Sequence, residues 1–193
     1  MKDSIRYFFK RHKRLLLTLS CCFVAVLLIS VVALKSSKTA ITDDKTVQTN
    51  NPTSISFIMP IKEGVVIKDY SNTALKYNAT LKQWEAHKAV DIKGADDANV
   101  LAVYPGEVVS VESDYLRGTI VTIAHTGKLK TVYASLDDDV SVKVGDRVNT
   151  GDVIGKVSTS AKGEAKDGAH LHFEVLLNDV KTDPNLYLPN SNK

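Results

Sequence analysis

Three of the five histidines fall into two short patterns whose spacing suits metal chemistry. The first is His87-Lys88-Ala89-Val90-Asp91, which leads into a run rich in β-branched residues. Positions 87 and 91 are four apart, so on an extended chain both side chains point to one face, with Val90 and Ile92 turned to the other. The second is His170-Leu171-His172-Phe173-Glu174-Val175. Read as a strand, it carries His170, His172 and Glu174 on one face and three apolar residues on the opposite one. Two histidines and a carboxylate suffice for a tetrahedral zinc site with one position open. Either pattern alone better suits a solvated surface histidine. Both together, in β context and in a region without cysteine, favour a metal site.

The elements that must position these residues are short and β-branched. Ser56–Met59, Val65–Ile67, Ala89–Ile92, Val108–Val111, Ile120–Ile123, Thr131–Tyr133, Val140–Val142, Val153–Ile154 and Leu171–Val175 all read as strands. Turn signals separate them: Pro105-Gly106, Thr126-Gly127, Gly145-Asp146, Thr150-Gly151 and Asp183-Pro184. No amphipathic helical pattern competes, and no internal repeat is visible. Residues 73–88 give no clear period. The expectation is an all-β sheet or sandwich domain over residues 56–189, long enough to bury a core without disulfides.

Upstream, residues 15–34 (LLLTLSCCFVAVLLISVVAL) run for twenty positions without a charge. As a helix this covers the ~30 Å hydrocarbon core of a bilayer. Residues 1–14 hold six basic residues against the single acid Asp3. That excess places the N-terminus in the cytoplasm and everything beyond residue 34 outside it. A cleaved signal peptide is the rival, but its apolar core usually spans only ~7–15 residues. Cys21 and Cys22 both lie within the apolar run, so the outer region has no disulfide and no thiolate ligand. Residues 35–55 are rich in Ser, Thr, Asn, Asp and Lys and read as a flexible stalk; residues 190–193 read as a tail. The whole chain carries only +3, less than its first fourteen residues supply. The remainder is therefore slightly acidic, which excludes an extended nucleic-acid surface. His12 belongs to the basic tail, and His125, before Thr126-Gly127, reads as an exposed turn residue.

HxxxD followed downstream by HxH resembles the signature of the LytM/lysostaphin-type zinc endopeptidases, which cut peptide cross-links of bacterial cell walls. The stretches Val100–Val108, Gly118–His125, Val144–Val148, Gly151–Gly155 and Asp183–Leu188 are similar to that family as well. The resemblance implies one zinc ion held by His87, Asp91 and His172, with His170 as one of two catalytic histidines. The second catalytic histidine belongs in a Tyr-x-His-Leu motif; here the stretch is Tyr133-Ala134-Ser135-Leu136, with Ser135 at that position. A serine hydroxyl donates a hydrogen bond but carries no positive charge near neutral pH. Loss of a positioned acid–base group costs ~10²–10⁴ in rate. Ala89 also stands where the family usually has glycine. Glu174 is a candidate for orienting a ligating histidine.

The anchor, stalk and degenerate domain together resemble the sporulation members of that family. This implies a forespore-membrane protein whose outer domain lies in the intermembrane space. There it would bind a membrane protein of the mother cell during engulfment and in a channel-like hetero-oligomer, with little or no peptidase activity. The competing expectations are an active endopeptidase on peptidoglycan and an activator of a wall amidase.

Overall fold

The computed structural model describes residues 55–189. The basic tail 1–14, the anchor 15–34, all of the stalk except Ile55, and the tail 190–193 lie outside the described residues. Among the described residues no helix is long and apolar enough to cross a membrane.

The described residues form twelve successive strands: β1 (Val65–Lys68), β2 (Ser71–Asn78), β3 (Gln83–His87), β4 (Val90–Lys93), β5 (Asn99–Leu101), β6 (Gly106–Asp114), β7 (Gly118–Ala124), β8 (Leu129–Leu136), β9 (Arg147–Val148), β10 (Val153–Lys156), β11 (Leu171–Leu177) and β12 (Val180–Thr182). Among the described residues helical structure is confined to three short 3-10 segments, of which Lys162–Asp167 matters most below. The main sheet runs β1-β4-β11-β8-β7-β6-β9, with β12 also paired to β11. β10 with β5 and β2 with β3 form two-stranded sheets. Every pairing is antiparallel, as the short turns between successive strands allow. The fold is the all-β domain expected from the strand pattern.

Alternation explains how the sheet acquires its core. Val90 and Ile92 of β4, with Leu171, Phe173 and Val175 of β11, are completely buried in one cluster that also contains Tyr133, Val121 and Ile123. The Tyr133 hydroxyl accepts the Val103 N–H at 3.0 Å, so the deepest aromatic leaves no polar atom unpaired. The chain ends of the domain meet on this core. Phe57 donates its N–H to the Tyr187 carbonyl at 2.9 Å, and the two rings stack with centroids 5.2 Å apart.

Two expected strands are absent. Ser56–Met59 and Val140–Val142 join no sheet and make only isolated bonds, such as Ile58 N–H to Val103 and Ser141 N–H to Ile154. Their apolar residues reflect burial against the sheet, with Phe57 only 3% exposed, while no neighbouring strand forms a ladder with them.

Candidate metal centre

Asp91 and His172 are cross-strand partners in the β4–β11 register, so pleating alone places both on one face. His87 reaches them differently from the sequence reading. It ends β3, the chain bends through Lys88 and Ala89, and only then does β4 begin, so His87 and Asp91 do not share one straight strand. The bend, at which Ala89 is fully buried, brings the His87 imidazole back to Asp91. His87 Nε2 lies 3.2 Å from Asp91 Oδ2, and His172 Nδ1 lies 2.8 Å from Asp91 Oδ1.

A fourth group joins them. Glu164, in the irregular 3-10 segment that precedes β11, places Oε2 3.0 Å from His172 Nδ1 and Oε1 3.9 Å from His87 Nε2. One ligand-type atom from each of His87, Asp91, Glu164 and His172 lies within 4.8 Å of the others, the only such group among the described residues. Lys68, at the end of β1, adds a cation. Its Nζ is 3.0 Å from Asp91, 2.8 Å from Glu164 and 2.6 Å from Asp167. Neither Glu164 nor Lys68 was singled out from sequence.

Four buried polar atoms here lack a hydrogen-bond partner: His87 Nε2, both carboxylate oxygens of Asp91, and His172 Nδ1. An unsatisfied buried polar atom costs ~1–3 kcal/mol, and four converging on one point mark a place built for something else. The far nitrogens of both imidazoles are already committed. His87 Nδ1 faces the Asp69 carbonyl at 3.2 Å, and His172 Nε2 faces Glu174 Oε1 at 3.4 Å. Ligating histidines are oriented in this way by an outer acceptor. The nitrogen and carboxylate donors fit a divalent cation of the zinc type.

Without a metal, charge balance falls to the side chains. Burial pulls most strongly against ionisation of His172, yet Asp91, Glu164 and Glu174 outweigh it and raise its pKa well above 6.5. Burial likewise opposes the charged forms of Asp91 and Glu164, but hydrogen bonds and nearby positive charge hold both below the usual carboxylate range. Glu174 shows the consequence most simply. Burial works to raise its pKa, while bonds from His172 and Lys181 hold it down to about 2 from 4.5. A depressed folded-state pKa gives stability above the unfolded value that is lost as pH falls through the folded value. In chelator, urea unfolding followed from pH 5 to pH 2 should therefore lose about 3 kcal/mol through this side chain. Glu174→Gln should flatten that part of the profile. An unchanged acid limb in the variant would remove the assignment.

The remaining residues singled out in the sequence sit less centrally. His170 precedes β11, only 1% exposed, with Nδ1 on the Gly168 carbonyl at 2.8 Å and Nε2 3.4 Å from Glu164. Its ring is turned to Glu164 and lies outside the four-residue group. Ser135 is fully buried at a positive-φ position near the end of β8, its hydroxyl donating to the Ser158 carbonyl at 3.2 Å. It lends nothing to the cleft. His125 is not the exposed turn residue expected. Its ring is half-buried between the Pro105 carbonyl and the Thr131 hydroxyl, both at 2.8 Å, and it packs edge-on against Tyr104. The reason is that β7 ends against the Pro105 turn rather than in solvent.

The site opens into a cleft of about 280 Å³. The β2–β3 hairpin contributes Asn78, Leu81 and Glu85 to its wall, and the β6–β7 turn contributes Leu116 and Arg117. Arg117 and Lys181 both bond Glu174 Oε1, at 3.0 and 2.8 Å, so the cleft floor is polar and paired.

Comparison with known proteins places this geometry. Stage II sporulation protein Q of Bacillus subtilis is 34% identical over 134 residues, 68% of this chain and 46% of that protein. The peptidoglycan DD-endopeptidase ShyC of Vibrio cholerae is 29% identical over 102 residues, 53% of this chain and 23% of ShyC. The chain thus spans less than half the length of these curated relatives. Among solved structures, the SpoIIQ–SpoIIIAH pore-forming complex superposes with a TM-score of 0.62 at 28% identity, covering 70% of this chain and 92% of the matched chain. The sporulation resemblance drawn from the sequence is thereby supported by both sequence and fold. The family description "Peptidase family M23" matches residues 85–184, which include His87, Asp91, Glu164, His170 and His172. The match takes in more than half of the 193 residues, and the chain belongs to peptidase family M23.

Proposed function

We propose that the chain is a membrane-anchored sporulation protein of the stage II Q type. Its outer domain holds a zinc ion and binds a SpoIIIAH-like membrane protein of the mother cell, without efficient peptidase activity. In this reading the N-terminal segment anchors the chain in the forespore membrane, and the domain occupies the space between the two membranes. His87 through Nε2, Asp91, and His172 through Nδ1 would hold the zinc. Bound there, the ion would supply a Lewis-acidic positive charge. The chain's own residues would use it to staple β3, β4 and β11 together, because metal binding and folding are linked.

The non-hydrolytic part rests on Ser135, which stands where the family resemblance would put the second catalytic histidine and whose hydroxyl is buried and bonded to Ser158. His170 alone then remains for proton handling, and it is turned to Glu164. Similarity to the SpoIIQ–SpoIIIAH complex favours partner binding. Similarity to the endopeptidase ShyC and the metal-type donor set favour hydrolysis as the second reading.

One preparation of the full-length protein in detergent distinguishes the two. Incubated with peptidoglycan, it should release no peptides above a boiled control, with or without chelator. It should retain a SpoIIIAH-like protein on an affinity resin. Chelator-sensitive peptide release that disappears in His170→Ala would replace the proposal with the endopeptidase reading.

A further inference from the structure

A family-type site built from two histidines and one aspartate leaves a coordination position open. In this chain a fourth donor already stands at the site. Glu164 is held from two sides. Lys68 takes its Oε1 at 2.8 Å, while Oε2 points at His172 Nδ1 from 3.0 Å, the atom that lacks a hydrogen-bond partner. Lys68 is in turn fixed by Asp167, three residues after Glu164 in the same segment, at 2.6 Å. The side chains of Asp91, His87, Glu164 and His172 are 0%, 6%, 13% and 17% exposed, so the four donors face one another largely out of solvent beside the cleft. The backbone at Glu164 departs from the helical values of its neighbours (φ −129°, ψ 25°), and this break separates it from the outward-facing Lys162 and Lys166.

We propose that Glu164 is the fourth protein ligand of the metal, closing the coordination sphere, with Lys68 and Asp167 holding its carboxylate in place. This rests on the zinc-binding reading above and sharpens it. Charge supports the assignment. Two neutral imidazoles, two carboxylates and a divalent cation sum to zero, as does the Lys68–Asp167 pair beside them. With three ligands the site would keep a positive charge, the condition under which a metal activates an exogenous ligand. Four-coordinate sites closed by protein are structural, and catalytic ones keep a position free. Glu164 thus removes from the metal what Ser135 removes from the acid–base machinery.

Cobalt(II) reports this directly, since its visible bands change when an added anion enters an open position. Full-length protein in detergent is loaded with cobalt and titrated with azide. The wild type should show four-coordinate bands that azide leaves unchanged. Glu164→Ala should show an azide-dependent change, and its zinc affinity should fall about tenfold or more. Glu164→Gln preserves shape should the alanine variant fold poorly, and it should lose zinc affinity in the same direction. Azide-responsive bands in the wild type, or wild-type zinc affinity in Glu164→Gln, overturn the fourth-ligand assignment and leave zinc binding intact. Failure of the wild type to take up cobalt or zinc overturns the zinc reading itself.

Discussion

Replacing Asp91 with alanine should reduce zinc affinity by ~10²–10³-fold and abolish the thermal stabilisation that zinc gives the wild type. Asp91 is fully buried and lies within 3.2 Å of His87, His172 and Lys68 alike. Structural zinc sites bind with ~10–16 kcal/mol, so one donor of four accounts for ~3–4 kcal/mol, which corresponds to that fold-change. At a zinc concentration a hundred times the dissociation constant the wild type gains ~2.7 kcal/mol. For a domain of this size that is a rise of about 8 °C in the unfolding midpoint. Asp91→Asn keeps the side-chain volume and should lose the same increment, which separates ligation from packing. Circular dichroism in chelator should show both variants folded, because Lys68 retains Glu164 and Asp167 as partners. A wild-type zinc shift in either variant would falsify the assignment of Asp91 as a ligand.

Lys68→Met should produce the converse pattern, a large loss without metal and a smaller one with it. Burial acts first to lower the Lys68 pKa, but Asp167 and Glu164 overcome it and hold the ammonium charged well above its usual range. Removing one partner of a buried ion pair costs ~3–5 kcal/mol, because the charges left behind have no compensation. With the Lys68 side chain 16% exposed, the low end applies, about 3 kcal/mol in chelator. A divalent ion supplies the missing positive charge to Asp91 and Glu164, so saturating zinc should recover more than half of the loss. Urea unfolding of both proteins with and without chelator measures this. Equal destabilisation in the two conditions would show that Lys68 acts through packing of its stem alone.

The legible parts of this molecule were those where side-chain burial and backbone pairing coincide. β4 and β11 bury alternate residues on a closed core, so Val90, Ile92, Leu171, Phe173 and Val175 stamped the period directly on the sequence. The β2–β3 hairpin does the reverse. Leu75, Tyr77 and Trp84 are exposed at 56%, 49% and 66%, so no buried face imposed an alternation and residues 73–88 looked featureless. Lys68 was hidden for a related reason. In β1 it is Val65 and Ile67 that face solvent, and the inward direction of Lys68 becomes visible only once the pairing with β4 is known.

Asp91 and His172 were found because strand register turns sequence spacing into a shared face. Glu164 had no such signal. It sits among Lys162, Lys166 and Asp167 in a segment that reads as a solvated turn, and its role depends on how that turn folds over β11. His170 shows the limit of the alternation argument. The strand begins one residue too late to carry it, and its isolated bridge to Ser158 leaves the ring free to turn toward Glu164.

The meeting of Phe57 with Tyr187 has a mechanical consequence. A pull applied between the first and last described residues would first load the Phe57–Tyr187 hydrogen bond and ring stack, and then the bond from Ile58 to Val103. The two ends of the domain thus share one corner, and force arriving along the polypeptide would meet that seam before the strands that carry the ligands.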